Sequence, residues 1–509
     1  MEFRWDRSGL KYATALIFLS AVLLYTGNFT TGEIETYYYE IESPKLLVGA
    51  PQADLISRPA FKELQKEESV FLPAREVLSK FEELKDAGTN FIFADLGQMK
   101  LSYYKDGEEL KSFEILAEGK KGSFFETPSG IYNIGLKETN HFSTIGKVWM
   151  PWSLHVFGNY FIHGWPYYPN GKPVAQSFSG GCVRLSVSDA KELFGLAENG
   201  TPLLIYSDPG SDDGAAVFAK SAYFKKIVSG RPAETPRLSS AAYLALDFET
   251  GQILFSKNEK MIYPIASLTK LMTALVASEM YQTRTFRLSK KALEEYGSYG
   301  GLREGELFDT QELLYPLLLV SSNDAAGAFE LESADFVLSM NKKARAIGLS
   351  ATYFSDASGL DPKNVSSAED LFKLLKYIYS YKKPIFDILS LKEYKLASKI
   401  RKAMHVWKNI NWPEGNKNFV AGKVGHTDEA LETTVGVYKV KLSEGEEKNI
   451  AIVILRSLDQ KGDSNKILKY LGENFVYGNV LVKTQIPEEK PKIIFNEANA
   501  YEAVQEFLK

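Results

Sequence analysis

The chain has 509 residues, 45% of them hydrophobic and 24% charged, ordinary globular usage that can bury real cores over about two to four domains. Lysine and arginine number 60 against 64 acidic residues, net charge -4, with no polybasic run, which argues against nucleic acid as a partner. Aromatic residues reach 13%; core and sheet packing is the plainer reading, contact with sugar rings the other.

Arg4, Arg7 and Lys11 precede the apolar run Ala13 to Tyr25, and no charge falls within the 21 residues from Tyr12 to Gly32. At ~1.5 Å per residue such a stretch reaches across a ~30 Å hydrocarbon layer. A positive flank followed by an apolar stretch is the layout of an export signal. No clean small-x-small cleavage site follows. Residues 1–32 are therefore read as a cytoplasmic flank and N-terminal transmembrane helix, single-pass in the cell membrane, with everything after it outside. The other reading is a cleaved signal and a secreted chain.

Residues 33–89 read as a spacer with a helical stretch from Pro73 to Asp86. Residues 90–206 are rich in β signals, with short strands at Phe91 to Phe93 and Lys100 to Tyr104 around turns such as Lys105-Asp106-Gly107. A helical pattern at Ser188 to Leu196 closes this part. Gly, Pro, Ser and Asp dominate residues 207–237, broken by one short apolar stretch. They read as a linker that permits independent motion if it is flexible. From 238 to 478 the character changes. Ala242 to Phe255 reads as a hairpin turning at Glu249-Thr250-Gly251. Helical patterns follow at Ser267 to Tyr281, Thr310 to Glu330 and Ala368 to Tyr381, then strands at Thr433 to Lys441 and Asn449 to Arg456. Strands at both ends with helices between predict an antiparallel sheet packed on a helical cluster. Residues 479–509 form a C-terminal extension.

The one cysteine, Cys182, is anomalous in an exported chain and marks a reactive thiol, although a lone cysteine is more often a small buried hydrophobe. It lies in Ser179-Gly180-Gly181-Cys182-Val183-Arg184-Leu185, downstream of Phe161-Ile162-His163-Gly164-Trp165. A thiol nucleophile needs a base to raise its thiolate fraction, and His163 supplies one. Gly180 and Gly181 let the backbone turn sharply and leave amides for an oxyanion, while Arg184 offers a planar fork to a carboxylate. His-Gly followed by Ser-x-Gly-Cys-x-Arg, with Cys182 19 positions after His163, resembles the L,D-transpeptidase catalytic domain (the YkuD-like family). Asp95 to Tyr104 resembles that family's opening strand pair, and Thr127-Pro128-Ser129-Gly130-Ile131-Tyr132 its Thr-Pro-x-Gly segment. Many members carry a second histidine where this chain has Gly180. The resemblance implies a mainly-β domain in which Cys182 attacks the third stem residue of peptidoglycan, D-alanine leaves, and an amine of another stem resolves the thioester to a 3-3 cross-link. Water in place of the amine would make it an L,D-carboxypeptidase.

A Ser-x-x-Lys match alone means little, since it also occurs at Ser8, Ser102, Ser188, Ser339 and Ser380. Ser267-Leu268-Thr269-Lys270 differs in opening a long helix, which places Lys270 one turn on from Ser267. Ser321-Ser322-Asn323 follows, and then Gly422-Lys423-Val424-Gly425-His426-Thr427. Ser-x-x-Lys, Ser-x-Asn and Lys-x-Gly in this order resemble penicillin-binding proteins and serine β-lactamases. The fuller likeness is to D-alanyl-D-alanine carboxypeptidases, low-molecular-mass penicillin-binding proteins of the α/β (α+β) type. It extends to Asp247 to Gly251, Asp356 to Asp361 and Ser367 to Leu371. By that resemblance Ser267 is the nucleophile, Lys270 its base and Ser321 a proton relay. Asn323 and Lys423 hold substrate, with Gly425, His426 and Thr427 lining the same strand. The Ser267 and His426 amides form the oxyanion hole.

The family usually has Thr or Ser at Val424, a hydroxyl that binds the terminal carboxylate. Its loss weakens the site by ~1.5–3 kcal/mol unless Thr427 compensates. The chain is thus expected to act on peptidoglycan stem peptides at two sites, to bind β-lactams, and to need no metal or cofactor. The alternative leaves the serine half as a peptidoglycan-binding module. His141, His155 and His405 have no metal spacing, and His155 is read as structural.

Overall fold

A computed structural model describes residues 61–63, 73–175, 179–208, 220–228, 231–294, 297, 300–400, 404–411, 417–443, 445 and 447–480. The expected membrane segment at 1–32 lies outside these residues. Among those described, no helix is long and apolar enough to cross a membrane.

The cysteine half is built from two sheets that share one core. The first has five strands in the order Glu108–Glu114, Lys100–Lys105, Phe91–Asp95, Pro202–Tyr206, Gly130–Asn133, with only the pair Phe91–Asp95 and Pro202–Tyr206 parallel. The second has four, Lys137–Ser143, Val148–Phe157, Tyr160–Gly164 and Val183–Leu185, the last two parallel. Ile92, Leu101 and Tyr132 of the first meet Leu154, Ile162 and Val183 of the second, with Leu193 of the helix Val187–Leu196 against them. The helix Pro73–Asp86 forms where its apolar spacing predicts, laying Val77 and Leu84 on Phe91 and Leu204.

The serine half carries a five-stranded antiparallel sheet, in the order Ile253–Lys257, Ala242–Asp247, Glu447–Ser457, Leu431–Lys441, Phe419–Thr427. Ala242 to Leu246 and Ile450 to Leu455 are apolar at every position because both faces are covered there. Leu244 and Leu246 face the helical cluster, whereas Tyr243 and Ala245 face the helix Gln460–Asn474 through Ile467 and Leu471. The hairpin turn is held by Asp247, whose carboxylate accepts from the Glu249 and Thr250 amides while Gly251 takes φ +73°.

Two helical patterns are cut at the candidate serine-site residues. The stretch expected as one helix from Thr310 to Glu330 divides into Thr310–Leu319 and Asn323–Glu332. Ser321 adopts φ +57° and the Ser322 hydroxyl caps the second helix by accepting from the Ala325 amide. At Ser267 the first turn is a 3-10 turn, Ala266–Thr269, before the helix Lys270–Met280. The interval expected as linker contains the strand Lys220–Val228. It pairs with Phe475–Val480, with Arg231–Pro232 and with Phe61–Glu63, so it is tied into the serine half. The Tyr223 hydroxyl, buried beneath it, donates to Asp247.

The two halves also meet directly. Glu279, Lys343 and Lys382 are fully buried, with Glu279 2.9 Å from Lys343 and 3.7 Å from Lys382. Lys343 donates to the Tyr132 hydroxyl at 2.9 Å, and Lys382 to the Glu126 carbonyl at 2.8 Å. The Tyr377 hydroxyl donates to the Ser129 carbonyl and that of Tyr381 to Ser207. Gly130, at φ +147°, lies so near the Ala346 carbonyl that a Cβ would stand 2.8 Å from it. Removing the one carboxylate strands two buried ammonium groups. Glu279→Ala is expected to cost about 3–5 kcal/mol in urea-unfolding stability. A loss below about 1 kcal/mol would contradict the assignment of this cluster as the joint between the halves.

Candidate active sites

Cys182 sits at the foot of the strand Val183–Leu185, beside the strand that ends in His163 and Gly164; His163 is in register with Arg184. Gly181 takes φ +112° and lies flat on Tyr160, where a Cβ would stand 2.0 Å from the ring. Only glycine fits this approach. Ser179 staples the turn. Its Oγ accepts from the Gly181 amide at 3.0 Å and donates to the Cys182 carbonyl.

The imidazole of His163 is buried, and its Nδ1 donates to the Gly164 carbonyl at 2.7 Å, which fixes the tautomer with Nε2 as acceptor. Burial, offset in part by that carbonyl, pulls its pKa down to about 4. Cys182 keeps partial exposure and packs on Phe161, Met150 and Val174. Its thiol donates to the Asn159 carbonyl at 3.6 Å. Desolvation pushes the thiol up to about 11, against the Phe161 amide and Arg184, which pull it down. Arg184 is buried with its guanidinium 5.5 Å from the Trp165 ring. The resting pair is therefore neutral thiol and neutral imidazole, not an ion pair. His155 and His141 flank Phe161 with ring centroids 5.1 and 4.5 Å away, a packing role.

In the serine half, Lys270 is fully buried and donates to Ser267 Oγ at 2.9 Å and to the Ser358 carbonyl. That carbonyl is aimed by Asp356, whose carboxylate gathers the amides of Ser358, Gly359 and Asp361 and the side chain of Asn364. Gly359, at φ +88°, touches the Ala266 carbonyl so closely that a Cβ would stand 2.0 Å from it. The strand Phe419–Thr427 closes the other side. Gly425 has no room for a side chain, since a Cβ would lie 2.8 Å from the Ser267 amide nitrogen.

Lys423, also fully buried, donates to Ser321 Oγ at 3.0 Å, to Asn411 Oδ1 at 3.2 Å and to the Val424 carbonyl at 2.8 Å. Burial, and then the nearby Lys270, hold its pKa well below the usual lysine range. Ser267, Lys270, Ser321 and Lys423 are thus brought together. Asn323 begins the helix Asn323–Glu332, and its amide reaches toward the Gly297 carbonyl at 3.5 Å. His426 is exposed, and Thr427 accepts from the Ala430 amide at 3.1 Å within the turn.

Two participants carry no signal in the sequence. Asn411 holds both Lys423 and the Val424 amide, the latter at 3.0 Å, from an otherwise plain Asn-Ile-Asn segment. Ser358 contributes only a carbonyl, which any residue could supply.

Fold and motif order define a protein of the penicillin-binding type joined to a second domain built around a cysteine. A family model described as D-alanyl-D-alanine carboxypeptidase matches residues 230–455, and one described as L,D-transpeptidase catalytic domain matches residues 89–205. The chain is 30% identical over 226 residues to a D-alanyl-D-alanine endopeptidase of Pseudomonas aeruginosa, covering 40% of this chain and 70% of that one. It is 29% identical over 220 residues to the Escherichia coli protein of the same name, with 40% and 69% covered. A solved D-alanyl-D-alanine carboxypeptidase from Mycobacterium tuberculosis is 22% identical, with TM-score 0.43 over 48% of this chain and 97% of that one. The chain belongs to the D-alanyl-D-alanine carboxypeptidase family, and ahead of that domain it carries a YkuD-type L,D-transpeptidase domain.

Because the thiol is held protonated, the thiolate fraction at neutral pH is small. Alkylation of Cys182 by iodoacetamide is expected to keep rising above pH 9, with its midpoint near 11. His163, Arg184 and Tyr160 are the titratable groups around it. A rate already flat below pH 8 would sink this picture of the resting site.

Proposed function

We propose that the chain remodels bacterial peptidoglycan through both sites. The observation that carries this reading is the 2.9 Å contact from Lys270 Nζ to Ser267 Oγ, with the Lys423–Ser321 pair beside it, in one chain with the Cys182 turn. At the serine site, Lys270 takes the Ser267 proton as Oγ attacks the carbonyl of the penultimate D-alanine. Ser321 passes a proton to the departing amine, the terminal D-alanine leaves, and water hydrolyses the ester. A buried lysine beside a second cation is poised to serve as base. The Ser267 and His426 amides receive the oxyanion, and Asn323 and Lys423 hold the stem.

At the cysteine site, the thiol proton passes to His163 Nε2 as Sγ attacks the third stem residue. D-Alanine takes that proton and departs, and an amine from a neighbouring stem resolves the thioester into a 3-3 cross-link. Arg184 orients a substrate carboxylate and the Gly181 turn presents amides to the oxyanion. The tetrapeptide that the serine site would leave is the donor that the cysteine site would use. β-Lactams are expected to acylate Ser267. The basic flank and charge-free stretch at the N-terminus support an extracytoplasmic location, anchored or secreted.

A second reading of the serine half is favoured by Val424, which offers no hydroxyl to a terminal carboxylate, and by the name D-alanyl-D-alanine endopeptidase borne by three relatives. In that reading the site opens cross-links. Incubation with disaccharide-pentapeptide, and separately with cross-linked dimers, followed by mass analysis, separates the readings. Tetrapeptide lost in Ser267→Ala reports carboxypeptidase, monomers from dimers report endopeptidase, and 3-3 dimer lost in Cys182→Ala reports transpeptidation. Muropeptide binding with no Ser267-dependent product or penicillin acylation would reduce the serine half to a binding module.

Val424→Thr restores a hydrogen bond to a charged group, worth about 1.5–3 kcal/mol. Penicillin acylation is expected to quicken by about 10- to 100-fold, measured by stopped-flow labelling. An unchanged rate would mean that Val424 does not limit the site.

A further inference from the structure

The thiol turn of the cysteine domain is not held by its own domain alone. Gln282, two residues past the helix Lys270–Met280 of the serine domain, donates from Nε2 to the Gly180 carbonyl at 2.9 Å. The next amide, that of Gly181, donates to Ser179 Oγ at 3.0 Å. The Gly180–Gly181 peptide unit, one before that of Cys182, is therefore gripped at its oxygen from one domain and at its nitrogen from the other. A second tie runs parallel. Asn159 donates from Nδ2 to the Met280 carbonyl, while its own carbonyl accepts from the Cys182 thiol. A third reaches the floor of the turn, where Lys382 stands 3.3 Å from the hydroxyl of Tyr160, the ring on which Gly181 lies. Gln282 is itself buried and sits at φ +36°, so its side chain has little freedom to look elsewhere.

We propose that the serine domain is a working part of the cysteine site, with Gln282 a positioning residue that aims Cys182 through the Gly180 carbonyl. The proposal rests on the transpeptidase reading for its catalytic consequence, but not for its geometry. A tethered neighbour would leave the thiol turn unaffected, whereas a braced turn transmits the loss of one amide donor directly to the nucleophile.

The chain's single cysteine makes the test residue-specific. Gln282→Met keeps the side-chain length and removes the donor. In the full-length protein, kcat for 3-3 transfer from tetrapeptide is expected to fall about five- to tenfold with KM little changed, the effect of one net hydrogen bond. The loosened thiol is expected to react with iodoacetamide faster by a similar factor, read by mass spectrometry, with the thermal midpoint unchanged. If Gln282→Met proves unstable, Asn159→Leu removes the parallel tie and is read identically. Wild-type kcat and wild-type alkylation in a folded Gln282→Met protein would overturn the proposal. If the wild type yields no Cys182-dependent product, the transpeptidase reading fails, and the alkylation rates alone still decide whether the brace exists.

Discussion

Glu279, Lys343 and Lys382 are buried together where two folds meet, and three charges without water tolerate little displacement. Apolar surfaces slide past one another at small cost. An ammonium that moves off its carboxylate in a dry interior loses several kcal/mol. The joint is further pinned by tyrosine hydroxyls and by backbone carbonyls at Ser129, Glu126 and Ser207, each from the cysteine side. Burial also pulls the Lys343 pKa down to about 8, so the cluster is held at the limit of what one carboxylate can compensate. All three charges belong to the serine half; Lys343 and Lys382 hold the cysteine half through the Tyr132 hydroxyl and the Glu126 carbonyl, and both candidate sites inherit that joint.

They inherit it through the helix Lys270–Met280, eleven residues long and buried along nearly its whole length. At ~1.5 Å per residue it spans roughly 15 Å. Its first residue is the ammonium that touches Ser267, and its last offers the carbonyl that holds Asn159 beside the thiol. The sites use burial in opposite ways. Around Cys182 it keeps the thiol protonated and the imidazole of His163 neutral. Around Lys423, whose ammonium donates to Ser321, Asn411 and the Val424 carbonyl, burial and the nearby Lys270 pull the pKa down.

What the sequence made legible was local chemistry with obligatory spacing. Ser-x-x-Lys puts Lys270 one turn from Ser267, and Gly-Gly-Cys needs Gly181 because Tyr160 leaves no room for a Cβ. The hairpin at Asp247 to Gly251 and the amphipathic helix Pro73–Asp86 follow from the same kind of rule. The breaks were harder to see. Leu313 to Val320 carries a strong helical pattern, and nothing in it announces that Ser321 turns left-handed while Ser322 starts a new helix. The strand Lys220–Val228 was hidden by the Gly- and Ser-rich residues around it and depends on a partner some 250 residues later. Asn411, Ser358 and Gln282 act through contacts that only the tertiary structure creates.

The sequence allowed independent motion of the two domains only if the linker is flexible, and the described residues tie part of that linker into the serine half. Domains joined by a polar, modest interface move by default, and a tether raises the local concentration of one domain's product near the other. Here the interface lies over a buried ionic cluster and reaches into the thiol turn. On the function proposed above, a stem trimmed at Ser267 would have to be delivered to Cys182 by the mesh in which it is anchored, not by a swing of the protein. The benefit of fusion then lies less in proximity than in rigidity. The Gly180 carbonyl of the cysteine domain receives its support from a glutamine of the neighbouring domain.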